Sequence, residues 1–143
     1  MDKINIEEYA ENLFNRLKPT NFKSLTDELN YFNRGEVGVL SYLAFDKNEA
    51  SSGELSEKLN VSTARIASIL KSLENKKYIR RKEDSLDKRK TLVVITESGK
   101  ELAVETKKEL MDILIKVIKE IGYEDIEEYT RIVQKIRKVL DKQ

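Results

Sequence analysis

Cationic side chains are concentrated in one short stretch of the sequence. From Lys76 to Lys90, eight of the fifteen residues are Lys or Arg, and only Glu83, Asp84 and Asp87 are acidic. Residues 61–90 carry ten basic and four acidic groups, a balance of +6, although the whole chain carries only +1. Such a local field is typical of surfaces that bind polyanions, above all nucleic acid. A solvated lysine-rich loop is the alternative.

The residue types that the chain lacks exclude several kinds of enzyme chemistry. With neither Cys nor His among 143 residues, there is no thiol nucleophile, no imidazole acid–base group and no ordinary zinc or iron ligand set. The acids of "EDSLD", residues 83–87, lack the alternating ligands and central Gly of a calcium loop. We therefore predict a protein that is not an enzyme and has no cofactor or metal.

Composition also bears on fold class and location. Charged residues make up 37% of the chain, with a single Pro and few aromatics, which favours a largely helical protein with hydrated outer faces. No apolar run approaches the roughly 18 residues of a membrane helix. The acidic start "MDKINIEEY" is not typical of a signal peptide. We expect a cytoplasmic protein with no membrane partner.

Two short helices joined by a tight turn precede the basic stretch. Ser51, followed three residues later by Glu54, predicts a capping box at the start of the first helix. A turn at residues 60–61 follows, and Ser62 is a natural N-cap for the second helix. The second helix has apolar residues at helical spacing: Ile66, Ile69, Leu70 and Leu73. This is a helix-turn-helix arrangement.

The outward face of that second helix favours DNA as a partner. It carries small, hydroxyl, amide and cationic side chains, with no acid before Glu74. Small side chains let a helix enter a groove, and hydroxyls, amides and Arg can hydrogen-bond base edges. The alternative is a solvated helix that is polar by chance.

Two strand-like segments, "YIRRK" and "TLVVIT", are bridged by "DSLDKRK", residues 84–90. A loop of this length forms a wing, and ordering it on binding costs conformational entropy. A carboxylate such as Asp87 or Asp84 can accept hydrogen bonds from the guanidinium of Arg89 or from the loop backbone. We predict that Asp87 positions Arg89 and that Arg89 makes the contact.

The same order of elements resembles the multiple antibiotic resistance regulator (MarR) family of winged-helix transcription factors. The resemblance covers residues 53–102, together with "GEVGVLSYL" upstream. Asp87-Lys88-Arg89 matches the wing motif Asp-x-Arg of that family, and Thr96-Glu97-Ser98-Gly99 matches the Thr-x-x-Gly that opens a long helix. The implied fold is mainly α with a small β-hairpin wing.

The resemblance implies one MarR-like domain over residues 1–143. Residues 35–99 would form the winged helix-turn-helix DNA-binding core, and residues 1–34 and 100–143 would supply dimerisation helices. Apolar residues at helical spacing agree with helices over Ile6–Leu17 and around Leu25–Phe32, with a long helix from Thr96 to Ile121 that stops at Gly122, and with a last helix over Ile126–Leu140. A second copy of the chain is the natural cover for their apolar faces, so we expect a homodimer. A monomeric bundle is the alternative.

The implied function is that of a sequence-specific transcriptional regulator, a ligand-responsive repressor, on near-palindromic double-stranded DNA. Candidate base or adjacent phosphate contacts lie on the second helix of the pair: Ser62, Thr63, Arg65, Ser68 and Ser72. Candidate phosphate contacts are cationic: Lys71, Lys76, Arg80, Arg81, Lys82, Lys88 and Lys90. Because successive residues of a strand alternate sides, not all of these can face the DNA. Arg89, oriented by Asp87, would enter the minor groove.

Three questions stay open at the level of sequence. The family usually has Gly where this chain has Lys77, so either Lys77 adopts a left-handed conformation, which costs roughly 1 kcal/mol, or the helix ends differently. Seven of ten aromatics fall in the first 45 residues and could line a pocket for an aromatic or lipophilic effector, although packing is the interpretation we favour. Finally, a winged-helix module that binds an acidic protein is the alternative to a DNA reader.

Overall fold

The computed structural model describes residues 4–17 and 35–142, which contain six helices and three strands. In chain order these are α1 (Ile6–Arg16), α2 (Gly35–Phe45), β1 (Glu49–Ser51), α3 (Ser52–Leu59), α4 (Thr63–Asn75), β2 (Ile79–Glu83), β3 (Thr91–Ile95), α5 (Glu97–Ile121) and α6 (Tyr123–Asp141). The predicted class, mainly α with a small β-hairpin, is confirmed. The helix expected around Leu25, Leu29 and Phe32 lies outside the described residues.

The sheet has one strand more than the sequence predicted. Its order is β1-β3-β2, and both pairings are antiparallel. The added strand β1 places Ala50 opposite Val93, and both side chains are buried. Three residues with one apolar side chain carry too little alternation to predict a strand from sequence.

The described residues fall into two compact units. The winged-helix unit comprises residues 35–107, and α2, α3, α4 and the sheet close over one apolar core. The largest side chains of that core are fully buried: Leu40, Leu43, Leu55, Ile66, Leu70 and Leu73. Three helices therefore hold the sheet and its wing on a rigid base.

The helical unit comprises residues 4–17 and 108–142. Its core joins α1, the second half of α5 and α6 through buried residues that include Leu13, Ile118 and Val133. Arg137 of α6 donates two hydrogen bonds of 2.9 Å to the carbonyl oxygens of Arg16 and Leu17, which satisfies acceptors at the end of α1.

A polar cluster also ties α1 to α6. The Arg16 guanidinium donates two hydrogen bonds to the Glu127 carboxylate, at 2.7 and 3.0 Å, and the Tyr9 hydroxyl donates a third at 2.5 Å. These bonds lower the pKa of Glu127 to about 2, and burial together with Glu127 raises the pKa of Tyr9 to about 12. Bidentate pairing of this kind fixes direction as well as distance.

Within the described residues, no helix combines the length and apolar character that crossing a bilayer would require.

Candidate nucleic-acid interface

Helix α4 is held rigidly at its start. The Ser62 side chain accepts a hydrogen bond of 3.1 Å from the backbone N–H of Arg65, so the predicted N-cap is confirmed. The preceding turn passes through Asn60 at φ 51°, and the Ser56 hydroxyl donates to the Val61 carbonyl at 2.7 Å. The angle between α3 and α4 is therefore fixed by hydrogen bonds as well as by packing.

The outward face of α4 is exposed and free of acid over its first turns. Ile66, Leu70 and Leu73 face the core, as their spacing predicted. The exposed residues from the N-cap to Lys71 are Ser62, Thr63, Ala64, Arg65, Ala67, Ser68 and Lys71. Two hydroxyls beyond the cap, two cations and two methyl groups give this face hydrogen-bonding capacity with little bulk.

Ser72, a predicted contact residue, has a partner inside the protein. It is half-buried, and its hydroxyl donates to the Glu36 carboxylate on α2. Lys76 donates to the same carboxylate at 2.8 Å. These hydrogen bonds lower the pKa of Glu36. Ser72 and Lys76 thus anchor α4 to α2, a role that sequence reasoning missed because the residues lie 36 and 40 positions apart.

Lys77 adopts the left-handed conformation in question, at φ 64°. The backbone N–H of Lys77 donates to the Glu74 carbonyl, and that of Tyr78 to the Leu73 carbonyl, each at 3.0 Å. This pair of bonds is the Schellman motif that usually has Gly at its left-handed position. Of the two possibilities left open by the sequence, the left-handed one is found, and Lys77 bears its strain.

Hydroxyl groups at the start of α5 form hydrogen bonds with the same turn. The hydroxyls of Thr96 and Ser98 donate to the Lys77 carbonyl at 2.8 and 3.1 Å. The Thr96 hydroxyl also accepts from the Gly99 N–H at 3.2 Å and so caps α5. A Cβ on Gly99 would lie 2.3 Å from the Tyr78 carbonyl oxygen, so only Gly permits this approach. The Thr-x-x-Gly motif thus locks the end of α4 to the start of α5.

Cations on β2 face opposite sides of the sheet. Arg81 is registered with the buried Val93, which puts it on the α4 side, and it lies 3.4 Å from the Glu74 carboxylate. Lys82 points to the other side, 2.5 Å from Glu49 of β1. Arg80 is exposed on that second side, opposite Val94. Three predicted phosphate contacts, Lys76 among them, thus already have a carboxylate partner.

The wing is an ordered turn. The Asp84 N–H donates to the Lys90 carbonyl at 3.0 Å and closes the loop. Asp87 accepts hydrogen bonds from the Arg89 backbone N–H and from its guanidinium Nε, both at 3.1 Å. The pairing lowers the pKa of Asp87. The Arg89 side chain remains 91% exposed, so the predicted bond orients the guanidinium without covering it. Lys88 and Lys90 are exposed beside it.

In the portion of the chain that the structure describes, no group of three or more acidic side chains is arranged to hold a metal ion.

The fold and this surface define a class of protein. A family model described as a winged helix DNA-binding domain matches residues 36–114, and the chain belongs to that family. An uncharacterized HTH-type transcriptional regulator of Bacillus subtilis, YdgJ, is 36% identical over 67 residues, which are 47% of this chain and 41% of that protein. The chain therefore matches less than half the length of this relative.

Solved structures agree on the fold. FabT of Streptococcus pneumoniae, in a crystal structure with DNA, is 20% identical with a TM-score of 0.66, and 99% of each chain is covered. A MarR family transcription regulator is 16% identical with a TM-score of 0.70, covering 96% of this chain and 82% of that one. The fold predicted from the MarR resemblance is thereby confirmed.

Proposed function

We propose that this protein is a sequence-specific DNA-binding transcriptional regulator that acts as a homodimer on a near-palindromic operator. The observation that carries the proposal is the outward face of α4, which has no acid before Glu74 and belongs to the same compact unit as a wing whose Arg89 is exposed and already oriented. The family match and the FabT structure with DNA support it. In this proposal α4 enters the major groove and Arg89 the adjacent minor groove.

The candidate contact residues differ in their exposure and in whether they already have a hydrogen-bond partner within the protein. Thr63, Arg65 and Ser68 lie exposed on the outward face and are the proposed readers of base edges, with Lys71 beside them. The Ser62 oxygen caps α4, and its hydroxyl proton is left to donate to a phosphate. Lys88 and Lys90 extend the phosphate contacts to the wing.

Three cations that already have a carboxylate partner on another element are proposed to contribute less to DNA binding than the other candidate cations. Lys76, Arg81 and Lys82 would have to exchange a carboxylate for a phosphate, which reduces their net gain on binding. Ser72 is proposed to act mainly by holding α4 against Glu36. Arg80, exposed on the far side of β2, contributes to the general positive field.

The helical unit supports the homodimer. Large apolar side chains remain exposed there, and their cover by a second copy is the proposal: Ile113, Ile121, Ile132, Val139 and Leu140. A two-fold dimer would present two α4 helices to successive major grooves, about 10 base pairs apart. Sedimentation at micromolar concentration tests this, and a species of only 16.6 kDa would contradict it.

Three finer points rest on the MarR resemblance. They are repression rather than activation, release of DNA by an aromatic or lipophilic small molecule, and a cytoplasmic location where chromosomal DNA is accessible. A fluorescence titration of the protein–DNA complex with such compounds tests the second point, because an effector lowers the DNA-bound fraction in a saturable way.

The proposal is tested by selecting duplexes from a random library with the purified protein and repeating the binding with competitor DNA. We expect a two-fold symmetric consensus, and Arg65→Ala to weaken its binding more than Lys119→Ala, which removes an exposed cation outside the interface. Equal retardation of all DNA would show that the protein binds through charge and does not recognise the bases. No retardation would favour the alternative function, a winged-helix module that binds an acidic protein.

A further inference from the structure

We infer that Leu86, at the tip of the wing, makes an apolar contact with the walls of the minor groove beside Arg89; the inference rests on the DNA-binding function proposed above. Leu86 is 96% exposed, more than any other large apolar side chain in the described residues. A single exposed apolar residue is ordinary on a protein surface. Leu86 differs from such residues in lying on a hydrogen-bonded loop beside three cationic residues.

The loop holds Leu86 outward through its own hydrogen bonds. The Asp84 carboxylate accepts a bond of 2.9 Å from the Leu86 backbone N–H, so the turn is fixed at this residue. The Lys90 N–H donates to the Asp87 carbonyl at 2.9 Å and closes the other side. Because these bonds already order the loop, less conformational entropy is lost when a partner binds. Leu86 and Arg89 stand exposed on one prearranged turn.

Charge identifies the surface that would cover this tip. Lys88, Arg89 and Lys90 follow Leu86, and the two acids of the loop are engaged with the loop itself. A covering surface must therefore be anionic and yet offer apolar groups. The minor groove fits both requirements, because its walls are deoxyribose carbons flanked by phosphates, and apolar side chains commonly insert there. Burial of Leu86 against those carbons would add binding free energy that does not depend on charge.

The test separates this apolar contact from electrostatic attraction. Fluorescence anisotropy with the selected duplex, over a series of salt concentrations, compares Leu86→Ala with the wild type. We expect Kd to rise about tenfold, with the slope of log K against log salt unchanged. Arg89→Ala should weaken binding and also make that slope less steep. Leu86→Met, which keeps an apolar side chain of similar size, should bind nearly as the wild type does.

Val104→Ala is the matched control, since it truncates another exposed apolar residue of the winged-helix unit that belongs to α5 and not to the wing. If Leu86→Ala and Val104→Ala both bind as the wild type does, the Leu86 contact is refuted while the proposed function stands. If the wild type shows no sequence-selective binding, the Leu86 contact and the proposed function are both contradicted.

Discussion

Asp87 and Arg89 form a hydrogen-bonded pair within the wing, and the carboxylate engages both the backbone and the guanidinium of Arg89. The pair explains why acidic residues lie inside the most basic stretch of the chain. The Asp87 carboxylate is hydrogen-bonded to Arg89 and fixes the direction of its guanidinium. Because Lys and Arg outnumber the acids in this stretch, its net charge remains positive. Pre-orientation of this kind reduces the entropy lost on binding.

Asp87→Ala is predicted to weaken specific DNA binding by about 1 kcal/mol, roughly fivefold, because the guanidinium loses its direction. Charge alone predicts the opposite sign, since removing an acid strengthens attraction to phosphate. Arg89→Ala should weaken binding more. Affinity measured at fixed salt for both variants tests this. Unchanged affinity of Asp87→Ala, with Arg89→Ala abolishing binding, would refute the orienting role.

Lys77→Gly is predicted to stabilise the protein by up to about 1 kcal/mol, because it relieves the left-handed conformation at the end of α4. Urea denaturation measures the change as a higher midpoint with an unchanged slope. Lys71→Gly is the control: it replaces an exposed lysine inside the same helix and should destabilise by about 0.8 kcal/mol. A destabilised Lys77→Gly would mean that the turn does not bear the strain.

Gly99→Ala is predicted to destabilise the winged-helix unit by about 2 kcal/mol or more, because the new methyl group meets the Tyr78 carbonyl and the Ile95 side chain. Gly53→Ala provides the comparison. Its Cβ would have Ser51 Oγ at 3.9 Å as its nearest neighbour, and Ala favours the helix, so a small gain is expected. Thermal denaturation distinguishes the two, and equal effects of the two substitutions would exclude a special role for Gly99.

The helix-turn-helix and the wing pairing were predictable because their signals are local. Ser62 caps the helix that begins one residue later, and Asp87 binds a residue two positions away. The carboxylates that pair with Lys76 and Lys82 were not predictable, since Glu36 and Glu49 meet them only through the tertiary fold. For the same reason the sequence could not show which of the candidate cations already have a carboxylate partner within the fold.

The ionisation of Glu127 makes the stability of the helical unit depend on pH in the acid range. Its pKa is lowered from 4.5 to about 2 in the folded protein, chiefly by Arg16 and then by Tyr9. A depressed carboxylate stabilises the fold above pH 4.5, and that contribution is lost as the pH falls from 4.5 towards 2. Because 48% of the side chain is exposed, the loss should be modest.

Glu127→Gln is therefore predicted to flatten the fall in melting temperature between pH 5 and pH 2.5, about the range over which the folded and unfolded carboxyl groups differ in charge. Glu120→Gln, which changes an exposed acid of α5, should leave the acid dependence as it is in the wild type. A Glu127→Gln profile that runs parallel to the wild type would show that the Arg16–Glu127 pair does not link protonation to stability.

The most direct test of the account asks which residues a duplex covers. Hydrogen–deuterium exchange of the protein, alone and with its selected DNA, reports the backbone segments that become protected. We predict slower exchange in two segments, the first turns of α4 and residues 84–90 of the wing. Protection confined to other segments, or absent while the complex is saturated, would contradict a DNA interface formed by α4 and the wing.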